Sequence, residues 1–166
     1  YWEAINLNSA NTYTGGTRLC AICAYVMKPK AFSDGTVTVD GGQFRGARLA
    51  LAAEGLVLSN DVVVSGYGGP HYNGPAAGVP GAISFAVNSE LAGNVHIPDR
   101  AWIGTYEVAA SPYHEGVLSG VVSGESAVIV SGSGSVVMTA SNTVRHVELY
   151  GKLILRGNAA QARFVP

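Results

Sequence analysis

The residue types with most chemical potential are two cysteines, four histidines and two short polar clusters. Cys20 and Cys23 form a Cys-x-x-Cys inside Leu-Cys-Ala-Ile-Cys-Ala-Tyr-Val, a spacing that serves redox exchange or metal binding when both thiolates converge from a turn or a helix start. The flanking residues instead read as one apolar strand from Leu19 to Met27, in which positions three apart point to opposite faces roughly 10 Å from each other. At least one of the two is therefore expected to be a buried small hydrophobe, the alternative being an exposed cysteine bonded to another subunit. His71, His96, His114 and His146 share no ligand-like spacing with one another or with the cysteines. His114-Glu115 beside Tyr113 and Asp99-Arg100 beside Trp102 come nearest to a catalytic grouping, but neighbours in a strand face opposite ways and do not converge on one substrate atom. There is no Gly-x-Ser-x-Gly elbow, phosphate loop or dinucleotide fingerprint. The carboxylates are too scattered to name a polysaccharide-cleaving pair. Asp34-Gly35 and Asp40-Gly41-Gly42 only faintly resemble a calcium-binding solenoid repeat. The expectation is a protein that is not an enzyme, with no catalytic, cofactor-binding or metal-binding residue and no cofactor.

Recognition is the stronger prospect. Two segments, near 67–81 and 95–116, are rich in Pro, Gly and aromatic residues and read as loop insertions. They gather Tyr67, His71, Tyr72, Trp102, Tyr106 and Tyr113, a candidate contact for a ligand or a subunit, because aromatic faces stack on sugar rings and on proteins alike. The plainer alternative is that these rings roof the lateral face of the fold.

The elements that must carry these residues are short strands. The 166 residues suffice for a single domain, spanning 1–166, that buries a real core. Charged residues make up 13% and the net charge is −1, which gives no electrostatic reason to seek nucleic acid or an anionic membrane. No run approaches the roughly 18 apolar residues of a membrane helix, so no membrane insertion by this segment is expected. The 22 glycines stand among abundant Val, Ser and Thr, a β-rich and turn-rich composition. Asp-Gly, Ser-Gly and Asn corners separate strands at Thr36–Val39, Asn60–Gly66, Ile83–Val87, Gly93–Ile97, Trp102–Val108 and Ala127–Val130. Arg48 to Leu58 reads as two short strands around Gly55 rather than as a helix. The chain opens on Tyr1, and the expectation is a processed or excised piece.

An internal echo links the two ends. Ile5-Asn6-Leu7-Asn8-Ser9-Ala10-Asn11-Thr12 aligns with Val136-Val137-Met138-Thr139-Ala140-Ser141-Asn142-Thr143, an alternating strand followed by an Asn corner and a second strand. Ala10-Asn11-Thr12-Tyr13-Thr14-Gly15-Gly16-Thr17, Asp34-Gly35-Thr36-Val37-Thr38-Val39-Asp40-Gly41-Gly42, Leu58-Ser59-Asn60-Asp61-Val62-Val63-Val64-Ser65-Gly66 and Leu118-Ser119-Gly120-Val121-Val122-Ser123-Gly124 follow in an order that resembles the passenger-associated repeat of autotransporters and related bacterial surface proteins. The second copy has Val144-Arg145-His146 where the first has Tyr13-Thr14-Gly15-Gly16. The resemblance implies an extracellular location on the bacterial cell surface and a structural or adhesive role.

Many short strands with regular corners fit a β-solenoid or a β-sandwich of the jelly-roll kind. The repeated motif order, and corners of Asn and Gly in place of two-residue hairpins, favour an all-β, right-handed parallel β-helix of about eight coils at about 20 residues each. Cut from a longer array, such a solenoid exposes strand edges and an open apolar core, with Trp2 at one end and Phe164 at the other as candidate end contacts. The expected function is thus a repeat unit of a fibre, stalk or passenger that self-associates through its ends, as a homo-oligomer or filament, with a glycan or host surface as a further candidate partner. The alternative is a phage or viral β-helical spike that binds or cleaves a surface polysaccharide.

Overall fold

In the computed structural model, residues 3–42, 46–68, 81–105 and 114–158 are described. They are all-β, the one helical stretch being a short 3-10 turn at Gly157 and Asn158. In chain order the strands are β1 (Glu3–Leu7), β2 (Thr17–Cys20), β3 (Ile22–Val26), β4 (Val37–Asp40), β5 (Arg48–Leu51), β6 (Val57–Leu58), β7 (Val62–Ser65) and β8 (Ile83–Phe85). They continue with β9 (Ser89–Leu91), β10 (Val95–His96), β11 (Ala101–Thr105), β12 (Glu115–Leu118), β13 (Val122–Gly132), β14 (Ser135–Met138), β15 (Thr143–Leu149) and β16 (Lys152–Leu155).

Every pairing between these strands is parallel. A sandwich or jelly roll is built from antiparallel strands, so that alternative does not describe this chain. A first sheet runs β1-β3-β5-β8, a second β11-β13-β10-β7-β4-β2 with β15 beside β13, and a third β16-β14-β12-β9-β6. The first sheet continues into β11, where the Ala82 N–H donates to the Trp102 carbonyl at 2.8 Å. The long β13 then pairs with β10 through its first residues and with β11 through its last, so it belongs to two faces at once. The parallel strands therefore curl around one core, an arrangement compatible with a β-solenoid.

That core is made of columns. Val37, Val62, Val95 and Val122 pair in succession along the second sheet, each at most 1% exposed. Ala24, Leu49 and Ile83 form a column of the first sheet, and Leu58, Leu91, Leu118 and Met138 one of the third. Identical or similar β-branched and Leu side chains stacked in register exclude water from three sides, each buried side chain contributing about 1.5–3 kcal/mol. Residues at alternate positions in a strand must face the same way, so the columns also fix the register.

The length of one pass around the core varies. Thr17 pairs with Val37 after 20 residues, whereas Val62 reaches its partner Val95 only after 33. Among the described residues the second sheet accordingly stacks six passes, at β2, β4, β7, β10, β13 and β15, where about eight of uniform length are expected for the whole chain. Leu19 to Met27 also departs from the expected single strand. Ala21 takes a left-handed backbone conformation (φ 53°) and turns the chain from the second sheet into the first, splitting the stretch into β2 and β3. For a residue with a Cβ this conformation costs about 1–2 kcal/mol. The following passes turn at Gly42 and Gly66, also at positive φ.

Corners are held by side chains that bond to a neighbouring pass. Asn11 Nδ2 donates to the Ala31 carbonyl at 2.7 Å, and Asn60 Nδ2 to those of Ser33 and Gly35 at 3.0 and 2.7 Å. The Asn94 N–H donates to Asp61 Oδ1, the Val121 N–H to Asn94 Oδ1 and the Val122 N–H to Asn142 Oδ1, at 2.8, 3.1 and 2.8 Å. The Asn11 and Asn142 corners of the internal echo both bond to a neighbouring pass, Asn11 donating to a later one and Asn142 accepting from an earlier one, and the strands before them lie in different sheets, β1 in the first and β14 in the third.

Close stacking leaves no room for side chains at some corners. A Cβ on Gly93 would stand 1.9 Å from the Asn60 carbonyl oxygen, whereas one on Gly15 would meet nothing within 4 Å. Gly93→Ala is expected to destabilise the fold by about 3 kcal/mol and to lower Tm by about 6–12 °C. Gly15→Ala is expected to stay within about 0.5 kcal/mol of the unsubstituted chain. Thermal denaturation followed by circular dichroism checks both.

Candidate functional site

Of the six residues in the expected aromatic contact, Tyr67 and Trp102 fall among the described residues. They meet edge to face, ring centroids 4.8 Å apart and planes at 77°. Trp102 points away from the main core but is only 1% exposed, and with Ile129 and Tyr67 it forms a small second apolar cluster on the outer side of β11 and β13. Its indole N–H is buried without a hydrogen-bond partner. His71, Tyr72, Tyr106 and Tyr113 lie outside the described residues, as do the end residues Trp2 and Phe164.

The polar clusters separate as the strand geometry requires. His114 is buried, with Nε2 at 2.9 Å from the Phe85 carbonyl, whereas Glu115 turns outward and takes both guanidinium nitrogens of Arg156 at 3.0 and 2.9 Å. Arg100 reaches Glu148 of β15 at 2.7 and 2.6 Å. No group of three or more His, Cys, Asp or Glu side chains able to hold a metal ion occurs among the described residues.

Cys20 and Cys23 are both free thiols, the first exposed and the second buried. The Ala21 corner places them in different sheets. Cys23 sits in register with Arg48, which is itself buried and donates from Nε to the Gly68 carbonyl at 3.1 Å. Burial pushes the Cys23 thiol above its ordinary value of 9.0, against the opposing pull of the Arg48 charge.

The two ends of the stack form a further candidate interface. At one end β1 pairs only with β3, and Ile5 continues the Ala24, Leu49, Ile83 core column while standing 42% exposed. At the other, Leu149 continues the Val130 and Ile103 column and is 57% exposed, with the exposed Tyr150 after it. Leu153 and Leu155 of β16 are only half-buried beneath their partners in β14. Each end thus presents apolar side chains beside strand edges with no neighbour among the described residues. The sequence signal for this lay in the apolar alternation of Ile5-Asn6-Leu7 and the apolar run Leu153-Ile154-Leu155, which mark core positions but not which copy of the repeat comes last.

Among the described residues, the lateral surface includes two depressions. The larger, of about 530 Å³, lies where the first two passes have no strand of the third sheet, and its walls include Asn11, Tyr13, Thr14, Lys30, Asp34 and Gly35. The smaller, of about 290 Å³, lies on the third sheet between Val57, Asn88, Glu90 and Glu115. Its carboxylates are engaged, Glu90 with the Ser119 hydroxyl and Glu115 with Arg156. No family model matches the chain, and no curated protein or solved structure matches it.

The thiols give a direct test of this geometry. In the folded protein one thiol, Cys20, is expected to react with an alkylating reagent while Cys23 reacts only in denaturant, which mass spectrometry of the labelled peptides reads. A buried thiol whose value is raised contributes stability that is fully present below its unfolded value and is lost as pH rises past it. Unfolding free energy is therefore expected to fall above about pH 9, and Cys23→Ala to remove that part of the decline.

Proposed function

We propose that this chain is a section of a right-handed parallel β-helix from an exported bacterial surface protein, and that it serves as a unit of a stalk, fibre or passenger whose ends meet further copies or repeats. The observation that carries this reading is the pair of open ends, where apolar core columns stop at Ile5 and at Leu149 still exposed to solvent. An exposed, flat strand edge templates pairing with another strand, and native proteins otherwise blunt such edges. Adding a parallel strand of a second copy beside β1 or β15 would extend the same columns and the same hydrogen-bond ladders. Right-handedness is favoured because crossovers between parallel strands take that hand in about 98% of cases. The low charge and the order of Asn and Gly corner motifs, which resembles the autotransporter passenger repeat, support the surface location and the mechanical or adhesive role.

Association through the ends has a measurable consequence. The unsubstituted chain is expected to form end-to-end oligomers or filaments as concentration rises, seen by light scattering and by negative-stain electron microscopy. Ile5→Lys and Leu149→Lys are each expected to weaken association at least tenfold, since each desolvates a charge in the contact. Because both side chains are substantially exposed in the single chain, Tm at low concentration should change little. A chain that stays monomeric at high concentration would overturn the proposal.

A further inference from the structure

We propose that the larger lateral depression, at the first two corners of the stack, is a binding site for a neutral saccharide. It lies to the side of the strand ends, and the inference does not rest on self-assembly. From β5 onward the chain crosses the third side of the core through a strand, but the two earlier crossings, Asn8 to Gly16 and Met27 to Thr36, contain none. Ala31 and Phe32 of the second crossing turn inward and are 1% exposed, which closes the core beneath the depression. What remains is a concavity of about 530 Å³, within the range of about 300–1,000 Å³ typical of small-ligand sites.

Its lining has the chemistry of sugar recognition. Tyr13 offers an aromatic side chain that is 40% exposed, with its hydroxyl beside the Thr17 hydroxyl. A pyranose presents an apolar C–H face to such a ring and hydroxyls around its rim. Thr12 and Thr14 flank Tyr13 with hydroxyls that donate and accept, and Asn11 is anchored by its own bond to Ala31, which fixes that wall. The floor at Ser33 and Gly35 is pinned from below, because both carbonyls accept from the buried Asn60.

Charge narrows the ligand class. Among the lining residues only Lys30 and Asp34 carry charge at neutral pH, and they pair with each other. An anion approaching Lys30 would also meet the Asp34 carboxylate, and a cation approaching Asp34 the Lys30 ammonium, so neither gains an uncompensated counter-charge. A neutral polyol can instead accept from the ammonium and donate to the carboxylate while the pair stays intact. A preformed aromatic wall with hydroxyl, amide and compensated ionic groups around it therefore fits one or two neutral sugar rings better than a charged ligand.

The test is a titration of the isotopically labelled full chain, monitored by amide chemical shifts, with maltotriose, cellotriose and tri-N-acetylchitotriose as neutral probes and trigalacturonate as the anionic one. At least one neutral probe is expected to shift amides of Thr12, Tyr13, Thr14, Asp34 and Gly35 with saturable dependence. Tyr13→Ala is expected to weaken that binding about tenfold, equivalent to about 1.4 kcal/mol, while Tyr13→Phe, which keeps the ring, stays within about threefold. Unchanged spectra outside the corner would show that both variants fold. No shift with any neutral probe, shifts elsewhere on the surface, or equal loss in both variants would overturn the proposal. So would trigalacturonate binding there that strengthens in Asp34→Ala, since that marks an anion site built on Lys30.

Discussion

The fold depends on parallel strands stacking in register at about 4.8 Å, with almost nothing allowed between them. The sheets can accept that spacing because their inner faces are columns of Val, Leu and Ile whose side chains repeat from one pass to the next. The corners cannot accept it with ordinary residues. There the backbone of one pass rests on that of the previous one, as Gly120 does on the Gly93 carbonyl, and a side chain at that point would occupy the space of the neighbouring peptide. Glycine supplies the close approach, and Asn and Asp supply the hydrogen bonds that a turning backbone cannot find within its own pass. The column of corner contacts from Asn11 through Asn60, Asp61 and Asn94 to Asn142 is therefore as much a part of the architecture as the sheets.

The same constraint shapes the surface. A stack of this kind has no intrinsic end, since each pass completes the one before it and prepares the next. Wherever a run of passes stops, a half-built layer is left with unpaired strand groups and apolar side chains, and among the described residues Ile5 and Leu149 are core-column positions that stand exposed. On the lateral side, by contrast, each pass varies freely in length without disturbing its neighbours, because the columns and corners carry the register. The 20-residue and 33-residue passes coexist in one stack for this reason. Function that requires variety belongs on the sides, and function that requires continuity belongs at the ends.

Much of this was legible before any coordinates. Alternation and Asp-Gly, Ser-Gly or Asn punctuation mark β4, β7, β8 and β10 to within a residue or two, and Gly55 separates β5 from β6 as expected, whereas β13 begins at Val122, well before the expected Ala127. The break at Ala21 was not legible, because Leu-Cys-Ala-Ile-Cys is apolar throughout and nothing in an alanine announces a left-handed turn. The number of passes was missed for a related reason, since insertions between corners change the spacing without changing the motifs. Arg48 reads as a polar strand end, yet it is buried beside Cys23, a placement set by strand register and invisible to local pattern. The corner depression is not legible in the sequence, because Ala10-Asn11-Thr12-Tyr13-Thr14 reads as a turn motif, and only the absence of a third-sheet strand at these crossings turns that motif into a wall.

In-register parallel stacking is the claim on which the ends, the corners and the depression all rest. Its most direct measurement is disulfide formation in a chain with Cys20→Ser and Cys23→Ala, carrying Thr38→Cys with either Val63→Cys or Val64→Cys. Thr38 and Val63 are paired across β4 and β7 and share a face, whereas Val64 points into the core. The account predicts rapid oxidation of the 38–63 pair to an intramolecular bond under mild oxidant, with the 38–64 pair remaining reduced. Equal oxidation of both pairs, or bonding only between positions 38 and 64, would contradict it.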